Sequence, residues 1–230
     1  MESTPHIYPA LVIGGGQSGL ATAYYLRRFG IEYLILDDQD KPGGAWLHVW
    51  PTMTLFSNAA SSNLPGKPMP GYPGFPPASH VIDYLAEYER RYGLNVERSV
   101  TVTDVEFLPV GTLAETSDRP TYVVTASDGR RWYAHNIVAA TGTWSQPFIP
   151  TLPGSYAGQQ WHSANYPGPV PFQGASVAWW GPRIPARRLP GTSSRIPTSG
   201  PSRGSRGTNL AGCPTMWTGA CCFAAAGSAS

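Results

Sequence analysis

The sequence predicts an α/β protein built around a parallel sheet, and three neighbouring segments indicate this class. An apolar run from Ala10 to Ile13 is followed directly by a glycine-rich segment at residues 14–19. Apolar residues at helical spacing come next, ending near Gly30, and a second apolar run from Tyr33 to Leu36 stops at Asp37. Strand, helix and strand in this order predict two parallel strands joined by a helical crossover.

The glycine spacing matches the fingerprint of Rossmann-like, dinucleotide-binding domains. Gly14 permits a tight turn, Gly16 leaves room for a pyrophosphate beside the backbone, and Gly19 lets the helix pack closely on the strand. Gln17 and Ser18 open the helix, where free N–H groups and the positive end of the helix dipole favour a diphosphate. The segment therefore predicts a dinucleotide site.

Asp37 indicates which dinucleotide the site would take. At the end of the second strand its carboxylate can accept hydrogen bonds from a ribose diol, and its charge would repel a 2′-phosphate. The site therefore predicts FAD or NAD rather than NADP. The alternative is a glycine-rich turn followed by an ordinary acidic turn residue, but the flanking strands favour the dinucleotide site.

The composition is that of a protein which is globular at least in part. Its 230 residues, 41% of them hydrophobic, can bury a core in one large or two small domains. A net charge of +2 does not indicate a nucleic-acid or membrane partner. No membrane span or signal peptide is evident, so we expect the cytoplasm. The three cysteines match neither a disulfide framework nor a metal site.

Three later segments carry candidate cofactor contacts. Gly44, in a Pro-Gly-Gly turn, lets backbone lie against a flat ligand that Trp46 would cover; the alternative is a surface turn with a packing Trp. Asn58 offers an amide to a heteroaromatic ring or a peroxide, although an Asx-turn is the commoner use of Asn. Thr141 and Gly142 follow a strand at the end where nucleotides bind in parallel sheets.

Between these segments the pattern changes from helical to alternating. Ser79 is a candidate N-cap for an amphipathic helix that ends at Gly93. Residues 95–136 then alternate with period two, and Asp128 and Gly129 form a hairpin turn. We expect a small antiparallel layer inserted into the dinucleotide fold, after which Ile137 begins a strand that returns to the parallel sheet.

Taken together, these motifs resemble the class B flavin-containing monooxygenases, and more narrowly bacterial FAD-dependent oxidoreductases associated with arsenic resistance. The segment at residues 156–166 matches the signature FxGxxxHxxx[YF] of that family, with Tyr156 in place of the first Phe. The resemblance extends to Val177 and rests on GGGQSG at 14–19, Asp37, PGGAW at 42–46, Asn58, ATGTWSQP at 140–147 and YAGQQWHSANY at 156–166.

The resemblance implies an FAD-binding domain over residues 1–174 and an enzyme in which NADPH reduces the flavin. Asn58 would be the catalytic residue that steadies a C4a-hydroperoxide, which oxygenates a small substrate at nucleophilic N or S. His162 is interpreted as a hinge residue rather than a proton shuttle. The cofactor-binding residues would be Gly14, Gly16, Gln17, Ser18, Gly19, Asp37, Gly44, Trp46, Thr141 and Gly142.

The sequence departs from the family pattern after Val177. Residues 175–178 begin the first strand of an NADPH-binding domain, but Pro182 and Pro185 cannot continue a glycine turn into a helix. Residues 179–230 contain no Asp, Glu or Lys and are dominated by Arg, Pro, Ser and Gly. We therefore expect the NADPH site to be missing and the tail to be irregular or disordered.

A shift of reading frame accounts for this tail. The codons for WWGPRIP, read one base earlier, are compatible with VVGAADS, which is close to the missing glycine motif. We interpret residues 179–230 as the product of a single-base shift near Ala178. An RNA-binding tail is the weaker alternative, because its six arginines lie among prolines without an aromatic repeat.

Three functions remain open from the sequence. The first is an FAD-dependent NADPH monooxygenase, and the second is a catalytically inactive fragment that binds FAD but is not reduced by NADPH. The third, an NAD-binding reductase module, fits the first glycine motif but not PGGAW or residues 156–166. The sequence identifies neither the substrate nor the oligomeric state.

Overall fold

The structure of the chain is a computed structural model that describes residues 5–111, 119–147, 159–168, 170–172, 176–180 and 221–225. The chain divides into two units, Met1–Gly142 and Thr143–Ser230. Within the described residues, no helix is both long and apolar enough to cross a membrane.

The described residues of the first unit form strands, two α-helices and two short 3₁₀ helices. Its elements in chain order are β1 (Ile7–Tyr8), β2 (Ala10–Ile13), α1 (Gln17–Arg28), β3 (Tyr33–Leu36), a 3₁₀ helix (Gly44–Leu47), a second 3₁₀ helix (Ala59–Ser61), α2 (Ala78–Tyr92), β4 (Val96–Glu97), β5 (Val102–Leu108), β6 (Thr121–Ala126), β7 (Arg131–Ala134) and β8 (Ile137–Ala139).

The central sheet is parallel throughout, with strand order β4-β3-β2-β8. All residues of β2 and β3 are buried, because each strand alternates between two cores. Val12 and Ile35 face one core with the two helices, whereas Leu11 and Leu34 face the other with β6 and β7. The predicted α/β class with a parallel sheet is confirmed.

Both helices end in a glycine whose left-handed backbone completes a Schellman motif. After α1, Gly30 has a φ of 67° and Ile31 N donates to Leu26 O at 3.0 Å. After α2, Gly93 has a φ of 52°, as predicted for the end of that helix. The predicted N-cap was wrong: α2 begins at Ala78, since the fixed φ of the preceding Pro77 already suits a helix start.

The antiparallel layer formed by β5, β6 and β7 is extended by β1, which pairs with β7 in parallel, so this sheet has strand order β1-β7-β6-β5. Strands β6 and β7 form the predicted hairpin, in which Gly129 has a φ of 85° and Arg130 N donates to Asp128 Oδ1 at 3.0 Å. The layer begins later than the predicted residue 95, because Val96–Glu97 pairs with β3 in the parallel sheet. A two-residue strand gives too short a pattern to assign it to either sheet.

The described residues of the second unit include three antiparallel strands: β9 (Gln159–His162), β10 (Ser176–Trp180) and β11 (Cys221–Ala225), in the order β10-β11-β9. Strand β11 lies within the segment that was predicted to be irregular. Its backbone pairs with strands on both sides, a long-range arrangement that local composition does not reveal. Most of the remaining tail lies outside the described residues, and the predicted domain boundary at residue 174 stays a prediction.

Candidate dinucleotide site

The glycine turn between β2 and α1 is fixed by protein atoms on its inner side. Gly14 has a φ of 109°, and a Cβ atom there would lie 2.5 Å from the carbonyl oxygen of Ala140. A Cβ atom at Gly19 would lie 1.9 Å from the carbonyl oxygen of Gly14. Both positions therefore require glycine for the turn itself, because strand, turn and helix pack against one another through their backbones.

Gly16 differs, because no protein atom lies within 4 Å of the position a Cβ atom would take. It is the N-cap of α1 in extended backbone, with φ −82° and ψ −168°, which any residue can adopt. The helix has no side-chain cap and no acidic residue in its first turn, and its first internal bond joins Leu20 N to Gly16 O. The N–H groups of Gln17 and Ser18 thus lack intrahelical acceptors.

The Pro-Gly-Gly turn contacts this cradle directly. Gly44 has a φ of 53°, and a Cβ atom there would lie 2.9 Å from Gly16 Cα, so the two backbones meet closely. Trp46, two residues on, is half-buried and packs against the core that contains Val12 and Ile35. Trp46 therefore packs against protein, as the alternative interpretation of this turn expected. Its contact with a cofactor stays a prediction.

Asp37 lies at the carboxyl end of β3 and is 3% exposed. One of its oxygens accepts a hydrogen bond from Gly15 N at 2.8 Å, and the other is paired with the Arg98 guanidinium. A carboxylate offers about four acceptor positions, so these two contacts leave capacity for a ribose diol. The acid therefore lies against the glycine turn, although its contact with a ribose stays a prediction.

Arg98 belongs to this site but carries no local sequence signal. Its guanidinium contacts both Asp37 and Glu89 of α2, and its side chain is only 17% exposed. Burial raises the pKa of Glu89, an effect that the charge of Arg98 partly offsets. Only the position of Arg98 could have indicated it. Arg98 directly follows β4, Asp37 directly follows the neighbouring strand β3, and parallel strands bring their carboxyl ends to one edge of the sheet.

Thr141 and Gly142 lie at the same edge, after β8. Ala140 N donates to Ile13 O at 2.8 Å, which brings this segment alongside the glycine turn. Thr141 N would lie 3.3 Å from a Cβ atom at Gly14, and Gly142 has a φ of 64° with no protein atom within 4 Å of the position a Cβ atom would take. The structure thus brings Ala140 and Thr141 to the glycine turn, as expected for the carboxyl end of a parallel strand, while the contact of Gly142 with a cofactor stays a prediction.

Asn58 makes local contacts within its own loop. Its Oδ1 accepts a hydrogen bond from Ser61 N at 3.0 Å and caps the 3₁₀ helix that follows. This is the capping alternative raised by the sequence. Among the described residues its Nδ2 has no hydrogen-bond partner, and its proposed role beside a flavin stays a prediction.

Two tyrosines of α2 hold the loop that follows Asn58. Tyr84 Oη donates to Lys67 O at 2.6 Å and accepts from Leu64 N at 2.7 Å. Tyr88 Oη donates to Pro65 O at 2.7 Å, and its side chain is fully buried. Burial raises the pKa of both phenols, so they stay protonated donors at neutral pH.

His162 lies in the second unit and is 5% exposed. Its Nδ1 accepts a hydrogen bond from Ala164 N at 3.0 Å, so that nitrogen carries no proton in this arrangement. Tyr166 and Phe172 stack nearby with ring centroids 5.5 Å apart. Tyr156, the first residue of the signature, lies outside the described residues. Within the part of the chain that the structure describes, no group of three or more His, Cys, Asp or Glu residues is arranged to hold a metal.

Comparison with known proteins identifies relatives of the chain. A flavin-containing monooxygenase of Stenotrophomonas maltophilia is 44% identical, with a TM-score of 0.66, and the match covers 74% of this chain and 49% of that one. A CzcO-like oxidoreductase of Geobacillus kaustophilus is 30% identical over 75% of this chain and 47% of its own length. The indole-3-pyruvate monooxygenase YUCCA6 of Arabidopsis thaliana is 30% identical over 73% of this chain and 40% of its own.

The chain spans about half the length of these relatives or less. The family model described as pyridine nucleotide-disulphide oxidoreductase matches residues 11–179. The predicted resemblance to flavin-containing monooxygenases is confirmed, as are an oxidoreductase class and the use of flavin and pyridine nucleotide within the family. The chain belongs to the pyridine nucleotide-disulphide oxidoreductase family.

Proposed function

We propose that the first unit binds FAD, with its diphosphate at the N-terminus of α1. The observation that carries this proposal is the contrast at the glycine turn: the space beside Gly14 and Gly19 is filled by protein, whereas the space beside Gly16 is open. Free N–H groups and the helix dipole face an anion at such a terminus. The residues present therefore fit a dinucleotide diphosphate.

Each element of the site has a distinct part in binding. The N–H groups of Gln17 and Ser18 would hold the diphosphate, and Asp37 would accept hydrogen bonds from the adenosine ribose. Gly44 would hold its turn against Gly16 beside the diphosphate, and residues 140–142 would form the facing wall. When bound, FAD supplies the redox and oxygen chemistry, while these residues orient it and exclude water.

For a full-length protein that carries this fold, we propose the activity of a flavin-dependent monooxygenase that acts on a small molecule in the cytoplasm. The name and 44% identity of the Stenotrophomonas relative support this activity. The sequence resemblance favours a substrate with nucleophilic N or S. The plant relative is named for a 2-oxo acid, so oxo acids are tested beside amines and thioethers.

The second candidate is a chain that binds FAD but is not reduced by NADPH. The family match ends at Trp179, just where prolines replace the expected second glycine motif. This coincidence supports the proposed frame shift near Ala178 and the loss of the NADPH site. Sequencing the gene across that codon tests the shift directly, since an intact frame would contradict it.

Two measurements on the purified chain separate these functions. The visible spectrum reports whether FAD is bound, and anaerobic addition of NADPH then reports whether the bound flavin is reduced. A yellow protein that bleaches supports the monooxygenase, and a yellow protein that does not bleach supports the second candidate. A chain that does not bind added FAD but binds NAD would support the reductase module and overturn the FAD proposal.

The open space beside Gly16 provides a sharper test of FAD binding. Gly16→Ala adds a methyl group that touches no protein atom, so we expect only the small loss of stability of an N-cap change but FAD affinity lowered by about tenfold or more. Gly71→Ala is the matched control, because its Cβ atom would also lie in open space, on a loop outside the site. Equal FAD affinity of these two variants, measured by flavin fluorescence, would contradict the proposed diphosphate position.

A further inference from the structure

Arg98 connects the acid of the candidate site to helix α2. The guanidinium pairs with Asp37 and Glu89 at once, and the three side chains are 17%, 4% and 18% exposed, respectively. The group thus carries two negative charges and one positive charge in a largely buried setting. Buried carboxylates need such partners, because loss of hydration penalises their charged form.

The backbone beside Arg98 is locked to the backbone of Asp37. Asp37 N donates to Glu97 O, and Val100 N donates to Asp37 O, both at 2.9 Å. Between them Ser99 has a φ of 56°, a left-handed conformation that is uncommon for residues other than glycine. The two segments are therefore held in one register, which directs the Arg98 side chain to the acid.

We propose that Arg98 is a positioning residue for recognition of the adenosine ribose of FAD. This positioning role rests on the proposed function, since it concerns the same FAD site. Arg98 holds one oxygen of Asp37 while Gly15 N holds the other, so the carboxylate has a fixed orientation and keeps its remaining acceptor positions for the ribose hydroxyl groups. Glu89 in turn holds the second arm of the guanidinium.

The double contact explains why the residue is an arginine. A guanidinium is planar and presents several N–H donors in a fixed fork, so it can contact two carboxylates from one position. A lysine ammonium is a point charge on a flexible stem and would not fix the plane of Asp37 in the same way. The prediction is therefore specific to the guanidinium and not only to its positive charge.

The test compares the binding of two dinucleotides by the full chain. FAD and its analogue with 2′-deoxyadenosine differ by one ribose hydroxyl group, which an acid at the end of the second strand recognises. We expect the unaltered chain to prefer FAD by about tenfold, the value of one hydrogen bond to a charged group. Arg98→Ala should abolish most of this preference, and Arg98→Lys should restore only part of it.

Arg130→Ala is the matched control, because Arg130 also pairs with two carboxylates, those of Glu97 and Asp128, but lies on the exposed hairpin. It should keep the full preference for FAD. Full preference in Arg98→Ala would overturn the role of Arg98. If circular dichroism shows that Arg98→Ala does not fold, Arg98→Lys decides: a reduced preference supports the proposal and an unchanged one overturns it.

The outcomes also separate this inference from the proposed function. An unaltered chain that binds neither dinucleotide would overturn FAD binding itself. An unaltered chain that binds both equally would leave FAD binding intact but overturn the positioning role, since there would be no ribose contact for Arg98 to support.

Discussion

The parallel sheet and the antiparallel layer of the first unit bury their strands differently. Every residue of β2 and β3 is buried, whereas five of the seven residues of β5 are exposed. The parallel strands pack against helices on one face and against the antiparallel layer on the other, while β5 is an edge strand. The two sheets share one core but have different surroundings.

This difference explains where the candidate site lies. A cradle made of backbone needs segments that cannot move apart, and the carboxyl edge of the parallel sheet supplies them because its strands are held on both faces. The turn after β2, the acid after β3 and the segment after β8 all meet at that edge. The antiparallel layer contributes apolar residues to the core beneath, including Val124 and Ala134.

The largest expected effect is at Gly19, because the backbone packing at the edge of the parallel sheet leaves no room for a methyl group there. Gly19→Ala would place a Cβ atom 1.9 Å from the Gly14 carbonyl oxygen, a backbone atom that cannot move without opening the turn. We expect a loss of about 3 kcal/mol or more in the free energy of unfolding, typical of severe overpacking. Chemical denaturation followed by circular dichroism measures it, and stability within error of the Gly71→Ala control would contradict it.

A smaller effect distinguishes the central strand β6 of the antiparallel layer from its edge strand β5. Val124 is fully buried, and its directly paired neighbour Val105 is 39% exposed. We expect Val124→Ala to cost about 2 kcal/mol of unfolding free energy, and Val105→Ala less than about 0.5 kcal/mol. Val12→Ala, at a fully buried position in the parallel sheet, should match Val124→Ala. Equal losses at Val124 and Val105 would contradict the assignment of a buried central strand and an exposed edge strand.

The smallest effect concerns the tyrosines that hold the loop after Asn58. Tyr88→Phe removes the hydrogen bond to Pro65 O and should cost about 1 kcal/mol at neutral pH. Burial raises the pKa of Tyr88 above its unfolded value. The protonated phenol therefore favours the folded state, and this stability is lost as pH rises above about 10, where the unfolded chain ionises first.

Tyr88→Phe should accordingly make stability fall less steeply at alkaline pH. The remaining fall is expected from Tyr8, Tyr33 and Tyr84, whose pKa values are also raised by burial. Denaturation curves between neutral pH and the alkaline range measure the slopes. Tyr72→Phe, at an exposed ring, is the control for the neutral-pH value and should leave it unchanged. Identical alkaline slopes for the unaltered chain and Tyr88→Phe would contradict the prediction.

Much of the first unit could be predicted because its signals are local. The glycine turn, the two apolar runs and the helix-ending glycines each lie within a few residues of the feature they specify, and the hairpin at Asp128 and Gly129 has a local turn signal. The contact of Ala140 and Thr141 with the turn followed from a general rule about parallel sheets.

What could not be predicted depends on contacts between distant segments. Arg98 meets Asp37 across 61 residues, and nothing in the neighbouring sequence marks it. Strand β4 has two residues, too few for a periodic pattern. Strand β11 lies in a segment whose Arg, Pro, Ser and Gly content predicts no element, and its position depends on pairing with β9 and β10.

The position of β8 beside β2 has a consequence for biosynthesis. Residues 137–139 pair with residues 11–13, and Ala140 closes the turn at Gly14, so the cradle needs both ends of a long stretch of chain. Contacts so remote in sequence form late, because closing a large loop costs conformational entropy before the contacts between its ends can stabilise it. A polypeptide emerging from the ribosome therefore completes this cradle only after Ala140 has left the exit tunnel.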